Sequence, residues 1–285
     1  MLSLGQRTFR FVWRVANAAL VASLLVLVYS AGWEYSVRRY LDGFSDAIVP
    51  ANVTPEQRVE AILDWMRNGP PRSAEPTPTG LAFRDPETTL NYKQLLSVCG
   101  TATNAFLNLA RSSDLQVQRL LLMTPDRNTK HVVAEVLINQ RWVVVDPTYR
   151  VMLRNARGET LTRQELQNPR IFAEATAGIP GYPQFYNYDV YAHVRIARLP
   201  VSGLGIRPAL DWMLPGWEER FDWSLLLERA SFFVLSAACF VTFLLLLVRM
   251  FLGWYADHRL KIPRFHLRTH LARAGVAFLT TPEIK

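Results

Sequence analysis

Three residues in this sequence could together do chemistry: Cys99, His131 and Asp146. A thiol acts as a nucleophile only as a thiolate, so it needs a base that takes its proton and later returns it, and a third group that orients the base improves both steps. The chain has two cysteines. Cys239 lies in an apolar run (AACFVTFL), where a cysteine packs as a small hydrophobe, which leaves Cys99 as the thiol placed for reactivity. Two cysteines cannot build a disulfide framework, and no CxxC or Cys/His spacing suits zinc, so no metal site and no cofactor are expected.

The elements that must position these residues can be read from pattern. After Cys99, the residues Ala102, Ala105, Phe106, Leu109 and Ala110 form an apolar stripe at helical spacing. The spacing predicts a helix over about 99–111 with Cys99 at its start, where unpaired amide groups and the helix dipole favour an anion. Runs 116–123, 131–138 and 141–149 alternate and are rich in β-branched residues, so they read as strands. The Asn139-Gln140 break makes the last two a hairpin with a two-residue loop. Paired residue numbers then sum to about 279 by this turn geometry, so Asp146 faces Val133 and His131 faces Thr148. His131 and Asp146 share a face as diagonal neighbours, roughly 7–8 Å apart by Cα, within reach of side chains that lean together. An odd-length loop would separate them.

Upstream, Thr54-Pro55-Glu56-Gln57 is a capping box, and Val59, Ile62, Leu63 and Met66 follow on one face, which predicts a helix over 55–68. A proline-rich loop (70–80) comes next. Beyond residue 150 a second capping box (Thr162, Glu165) starts another helix, and a tyrosine-rich stretch, GYPQFYNYDVYAH, follows.

The segments SVCGTATNAFLNLARSSDLQVQRLLLM and KHVVAEVLINQRWVVVDPTY resemble the core of the transglutaminase-like superfamily of papain-like thiol enzymes. That family places a cysteine at the start of a helix, a histidine at the head of a strand and an aspartate in a W-x-x-x-D-P-T strand end. The match is close over about 95–150 and looser from about 50. The resemblance implies an α+β, papain-like/transglutaminase-like core with the nucleophile helix packed on an antiparallel sheet. It makes Cys99 the nucleophile, His131 the base and Asp146 the orienting acid of an acyl transfer through a thioester. The oxyanion would then be held by the Cys99 backbone amide and a side chain; Gln94 is the first candidate and Tyr92 a weaker one. One position departs from the family pattern: Val133 stands where an aromatic residue is common.

The ends of the chain give its setting. Of 285 residues half are hydrophobic and the net charge is +8, which on a globular protein would suggest nucleic acid. The charge is unevenly spread: residues 1–32 carry a net +3, 33–228 a net −1 and 229–285 a net +6. With a balanced middle the charge is no argument for a nucleic-acid partner, and none is expected. Val15–Trp33 and Ser231–Tyr255 are apolar runs near the roughly 20 residues that cross a bilayer. The first reads as a signal-anchor, with a cleaved signal peptide as its rival. Arg7 and Arg10 precede the first run, and Arg249, Arg259, Lys261, Arg264, Arg268 and Arg273 end or follow the second. The positive-inside rule then puts both ends in the cytoplasm.

The expected organisation is a cytoplasmic start and first span (1–33), an extracytoplasmic domain (34–228, core about 50–150), a second span (229–255) and a basic cytoplasmic tail (256–285). The tail could bind anionic headgroups or act only as a topology signal. His193, Trp212, Trp217, Trp223 and the tyrosines of 182–191 read first as packing or interfacial residues. The expected function is a bacterial, inner-membrane thiol enzyme acting on a peptide or protein amide. The alternative is an idle domain serving as a scaffold subunit of an envelope polysaccharide or export complex, with other membrane-complex subunits as partners beside the lipid bilayer.

Overall fold

A computed structural model describes residues 4–68, 90, 98–193, 206–217 and 224–261. In chain order these form helices α1 (Leu4–Ile48), α2 (Pro55–Asn68) and α3 (Cys99–Ser112), then strands β1 (Val117–Met123), β2 (Thr129–Ile138), β3 (Arg141–Asp146) and β4 (Val151–Met152). Short helices α4 (Arg163–Leu166) and α5 (Pro169–Thr176), strand β5 (Tyr191–Ala192), and helices α6 (Ile206–Met213), α7 (Ser224–Glu228) and α8 (Ala230–Tyr255) follow, with a π-helical turn Ala256–Leu260 after α8. Contacts divide the chain into two units, 1–29 with 237–285, and 30–236.

The unit 30–236 is a mixed helix and sheet structure. Its five strands are antiparallel in the order β4-β3-β2-β1-β5. The capping box at the head of α2 is made in both directions: the Thr54 amide donates to Gln57 Oε1 at 3.0 Å, and the Gln57 amide donates to Thr54 Oγ1 at 3.3 Å. Val59, Ile62, Leu63 and Met66 are buried, as their spacing predicts. The α3 helix is buried from Thr101 to Ala110 and packs on α2, β1 and β2. On that face Ala134, Val136, Val143 and Val145 join Phe106, Leu107 and Leu109 in one apolar core. The opposite face of the sheet carries Leu120, Val133 and Val144 against Leu161, Phe172, Tyr182 and Tyr188.

The first helix extends beyond the expected end of the apolar run at residue 33 and continues to Ile48. Its later turns change solvent: Val37 and Leu41, four residues apart, are buried in the core beside α2 and α3. A buried polar knot lies at the same level. Glu34, 3% exposed, accepts from Arg38 at 2.7 Å, Arg229 at 2.9 Å and Ser231 at 2.7 Å, which joins the base of α1 to the start of α8. Glu228, fully buried, pairs with Arg111 of α3.

The hairpin register matches the expectation. Ile138 pairs with Arg141 and Ala134 with Val145, and both turn residues adopt left-handed backbone (Asn139 φ 49°, Gln140 φ 64°), the conformation that a two-residue turn of this twist requires. β3 stops at Asp146, short of the expected residue 149.

In the unit formed by 1–29 and 237–285, the two helices are long and apolar enough to cross a membrane, and their apolar side chains, such as Val28, Phe240 and Phe251, are exposed. Arg249 donates to Asn17 Oδ1 at 2.8 Å and lies over the Trp13 ring.

Candidate active site

The site begins where β3 ends. Residues of β2 alternate in the direction of their backbone groups, and Leu137 donates toward β1, to the Gln116 carbonyl. Odd-numbered residues therefore face β1 and even-numbered ones face β3. Val145 pairs with Ala134, so the next hydrogen-bonded pair would be Pro147 with Val132. Pro147 has no N–H, and the ladder breaks there. The two backbone groups of Val132 that the sheet leaves free are taken by α3: its carbonyl accepts from the Thr103 hydroxyl at 2.9 Å, and its N–H donates to the Cys99 sulfur.

Cys99 is the first residue of α3 and half-buried, after an extended Val98. Its sulfur hydrogen-bonds to His131, and the Val132 and Gly100 amides also point at it. His131 is 2% exposed, and its Nε2 lies 2.7 Å from Asp146 Oδ2. With Nε2 on Asp146, Nδ1 is the nitrogen left for the thiol. Asp146 is fully buried and its Oδ1 accepts from the amides of Thr148 at 3.0 Å and Tyr149 at 3.4 Å. The structure therefore brings Cys99, His131 and Asp146 into one chain of hydrogen bonds. Gln94 and Tyr92 lie outside the described residues.

The electrostatics are those of an ion pair. The bond to His131 holds the Cys99 thiol below its ordinary value of 9.0; burial opposes this, and the charge on His131 and the two backbone amides add to it. Burial opposes a charge on His131, yet the bonds to Asp146 and Cys99 outweigh it and push the imidazole up to about 9. Each partner's charge favours the other's, so the thiol is lowered and the imidazole raised together.

Sequence reasoning did not place the tyrosines here. Tyr182 donates to Asp146 Oδ2 at 2.9 Å, and its hydroxyl is 3.4 Å from that of Tyr188. Tyr186 stacks on the His131 ring with centroids 4.3 Å apart and planes 6° apart, and Tyr149 meets the same ring edge-on. The clustering of tyrosines in one short stretch was the visible signal; its destination was not. His193 is buried with its Nδ1 donating to the Arg119 carbonyl at 2.7 Å, and Trp217 is buried with its Nε1 donating to Asp211 at 3.0 Å. Trp212 is 84% exposed, and Trp223 lies outside the described residues. Among the described residues no cluster of His, Cys, Asp and Glu has the makings of a metal site.

Residues 42–147 match the sequence model of the transglutaminase-like superfamily. The chain carries a transglutaminase-like domain. The matched segment ends at Pro147, where β3 gives way to the site, so the tyrosine loop lies outside it. No curated protein and no solved structure matches the chain.

Proposed function

We propose that this transglutaminase-like domain is a thiol acyl-transfer enzyme acting on peptide or protein amide bonds, with Cys99 as nucleophile, His131 as general acid and base, and Asp146 as the orienting acid. The observation that carries this reading is the continuous Cys99–His131–Asp146 hydrogen-bond chain, with the thiol held low and the imidazole held high. The Cys99 thiolate attacks the amide carbonyl carbon, and the carbonyl oxygen becomes an oxyanion. The Cys99 backbone N–H, which has no partner within the helix because it is in the first turn, is placed to receive that charge, with Gln94 as the second donor. The His131 imidazolium gives its proton to the departing amine as the C–N bond breaks, leaving a thioester and a neutral imidazole. His131 then takes a proton from water or from an acceptor amine, whose attack releases Cys99. Water gives hydrolysis, and an amine gives cross-linking.

The setting proposed for this chemistry is the outer face of a bacterial inner membrane. The two long apolar helices support membrane anchoring, and the +3 and +6 charges at the two ends support cytoplasmic termini with the domain outside. Iodoacetamide labelling of the full-length chain tests the reading, with Cys239→Ser in every sample so that Cys99 alone reacts. Labelling at neutral pH should exceed that of a free thiol and drop on His131→Ala. Labelling at the free-thiol rate, indifferent to His131→Ala, would reject the enzyme reading in favour of an idle scaffold domain.

A further inference from the structure

The loop between α5 and β5 closes over the candidate triad from outside the family-matched segment. Gly181, with a left-handed φ of 70°, turns the chain so that Tyr182 enters the core, and the Gly181 carbonyl accepts from the Tyr149 hydroxyl at 3.3 Å. Tyr182 and Tyr188 are buried in one cluster with Val133, whose small side chain leaves them room two residues after His131. From there the Tyr182 hydroxyl reaches the same Asp146 oxygen that faces His131 Nε2. Four residues later Tyr186 covers the imidazole face, and the exposed Phe185 packs edge-on against Tyr186.

We propose that Tyr182 and Tyr186 are positioning residues of this site. The Tyr182 hydroxyl shares the charge of Asp146 Oδ2 with His131, and the Tyr186 ring holds the imidazole in line between Asp146 and Cys99 while keeping water from the His131–Asp146 bond. The proposal rests on the acyl-transfer reading and extends the site to a loop that the family match does not cover.

The titratable groups that face His131 are Cys99 from α3, Asp146 from β3, Tyr149 from the turn after β3, and Tyr182, Tyr186 and Tyr188 from the loop. Burial pushes Tyr182 and Tyr188 far above the ordinary phenol range and Tyr186 up to about 12, and Tyr149 is raised as well, so all four phenols stay neutral below pH 9. Cys99 and Asp146 are then the charges that His131 reads. A phenol that donates to Oδ2 spreads the carboxylate charge, so removing it leaves more charge for the imidazolium and raises the pH at which His131 loses its proton. Removing the Tyr186 ring lets water reach both the imidazole and its bond to Asp146, which relieves the burial that opposes the charge while weakening the bond that favours it, so its effect is read in labelling and not in the direction of the titration.

The direction of the Tyr182→Phe shift, and the contrast between Tyr186→Ala and Tyr186→Phe, separate positioning from simple loosening of the loop. The test is a pH titration of the His131 ring by nitrogen NMR in the full-length Cys239→Ser chain, assigned with His131→Ala, beside iodoacetamide labelling at pH 7. Tyr182→Phe deletes one oxygen from a packed ring and should move the His131 titration upward by about half a unit or more. Tyr186→Ala should slow labelling roughly tenfold as the imidazole loses its alignment with Cys99, whereas Tyr186→Phe, which keeps the stacked ring, should match the parent. An unchanged or downward shift in Tyr182→Phe, or a parent-like Tyr186→Ala, overturns the proposal while the acyl-transfer reading stands. Parent Cys99 that labels like a free thiol, with no response to His131→Ala, overturns both.

Discussion

Replacing Asp146 by asparagine removes one charge and almost no volume, and the structure says what that does. His131 is held at about 9 against an ordinary 6.5, a difference of about 3 kcal/mol between its charged and neutral forms, and the bond to Asp146 is the largest influence that raises it. Burial opposes the charge and only Cys99 would remain to favour it, so in Asp146→Asn His131 should lose its proton at a lower pH than in the parent. An amide cannot take over the geometry. The four donors around the carboxylate are His131 Nε2 and the Tyr182 hydroxyl on Oδ2, and the Thr148 and Tyr149 amides on Oδ1. An asparagine NH2 in place of Oδ1 would oppose the two backbone amides, at about 1–3 kcal/mol for each group left unpaired, and in place of Oδ2 it would force the Tyr182 hydroxyl and His131 Nε2 to accept instead of donate.

Without the imidazolium, Cys99 returns toward its ordinary value of 9.0, at which roughly 1% is thiolate at pH 7. The parent thiol, held below 9.0, has a larger thiolate fraction, and the greater nucleophilicity of a more basic thiolate recovers part of the loss. Asp146→Asn should therefore label with iodoacetamide at least several-fold more slowly at pH 7, and the gap should close as pH approaches 9. The assay is the pseudo-first-order rate from pH 5 to 9 on the Cys239→Ser background. A variant rate within twofold of the parent at pH 7 would show that Asp146 does not set the charge of the pair.

Two further outcomes follow from the same geometry. Thr103→Val keeps the shape of the side chain but leaves the Val132 carbonyl without its donor; it should cost about 1–3 kcal/mol in a denaturant titration and slow Cys99 labelling as α3 loosens against β2. The second concerns pH and stability. His131 binds its proton more tightly folded than unfolded, so its contribution is complete below 6.5 and is lost as pH rises through about 9, whereas the lowered Cys99 contributes above 9.0 and loses that contribution as pH falls through its folded value. In Cys99→Ser the thiol no longer titrates and the bond to Asp146 still raises the histidine, so the melting temperature should fall as pH rises above 6.5, and a flat profile there would contradict the raised imidazole.

Much of this was open to reading because it is local. The Thr54–Gln57 box, the helical stripe after Cys99 and the two-residue Asn139-Gln140 turn each settle their geometry within a few residues, and the turn alone puts His131 and Asp146 on one face. Two features were not local. The extension of α1 to Ile48 depends on Val37 and Leu41 finding a core built from α2 and α3, so the end of the apolar run said nothing about the end of the helix. The tyrosine contacts join Asp146 to Tyr182 across 36 residues, through a loop with no regular periodicity to project its side chains.

Pro147 shows how a short motif can do two jobs that pattern reading treats as one. Read as a sequence, Asp-Pro after a strand marks a turn. In the sheet, residue 147 falls where the ladder needs a donor for the Val132 carbonyl, and proline has none, so β3 ends and the edge of β2 is left open beside His131. The open backbone does not stay unpaired, since a buried carbonyl without a partner is costly. Thr103 supplies the donor and Cys99 accepts the amide, both from the first turns of α3, and their spacing of four residues puts them on one helix face. The gap left by the missing strand residue is thus the seat of the thiol. The turn that proline enforces also presents the Thr148 and Tyr149 amides to Asp146. One ring closure in the backbone therefore helps to seat the sulfur and to bring two backbone amides onto the carboxylate at the end of this strand.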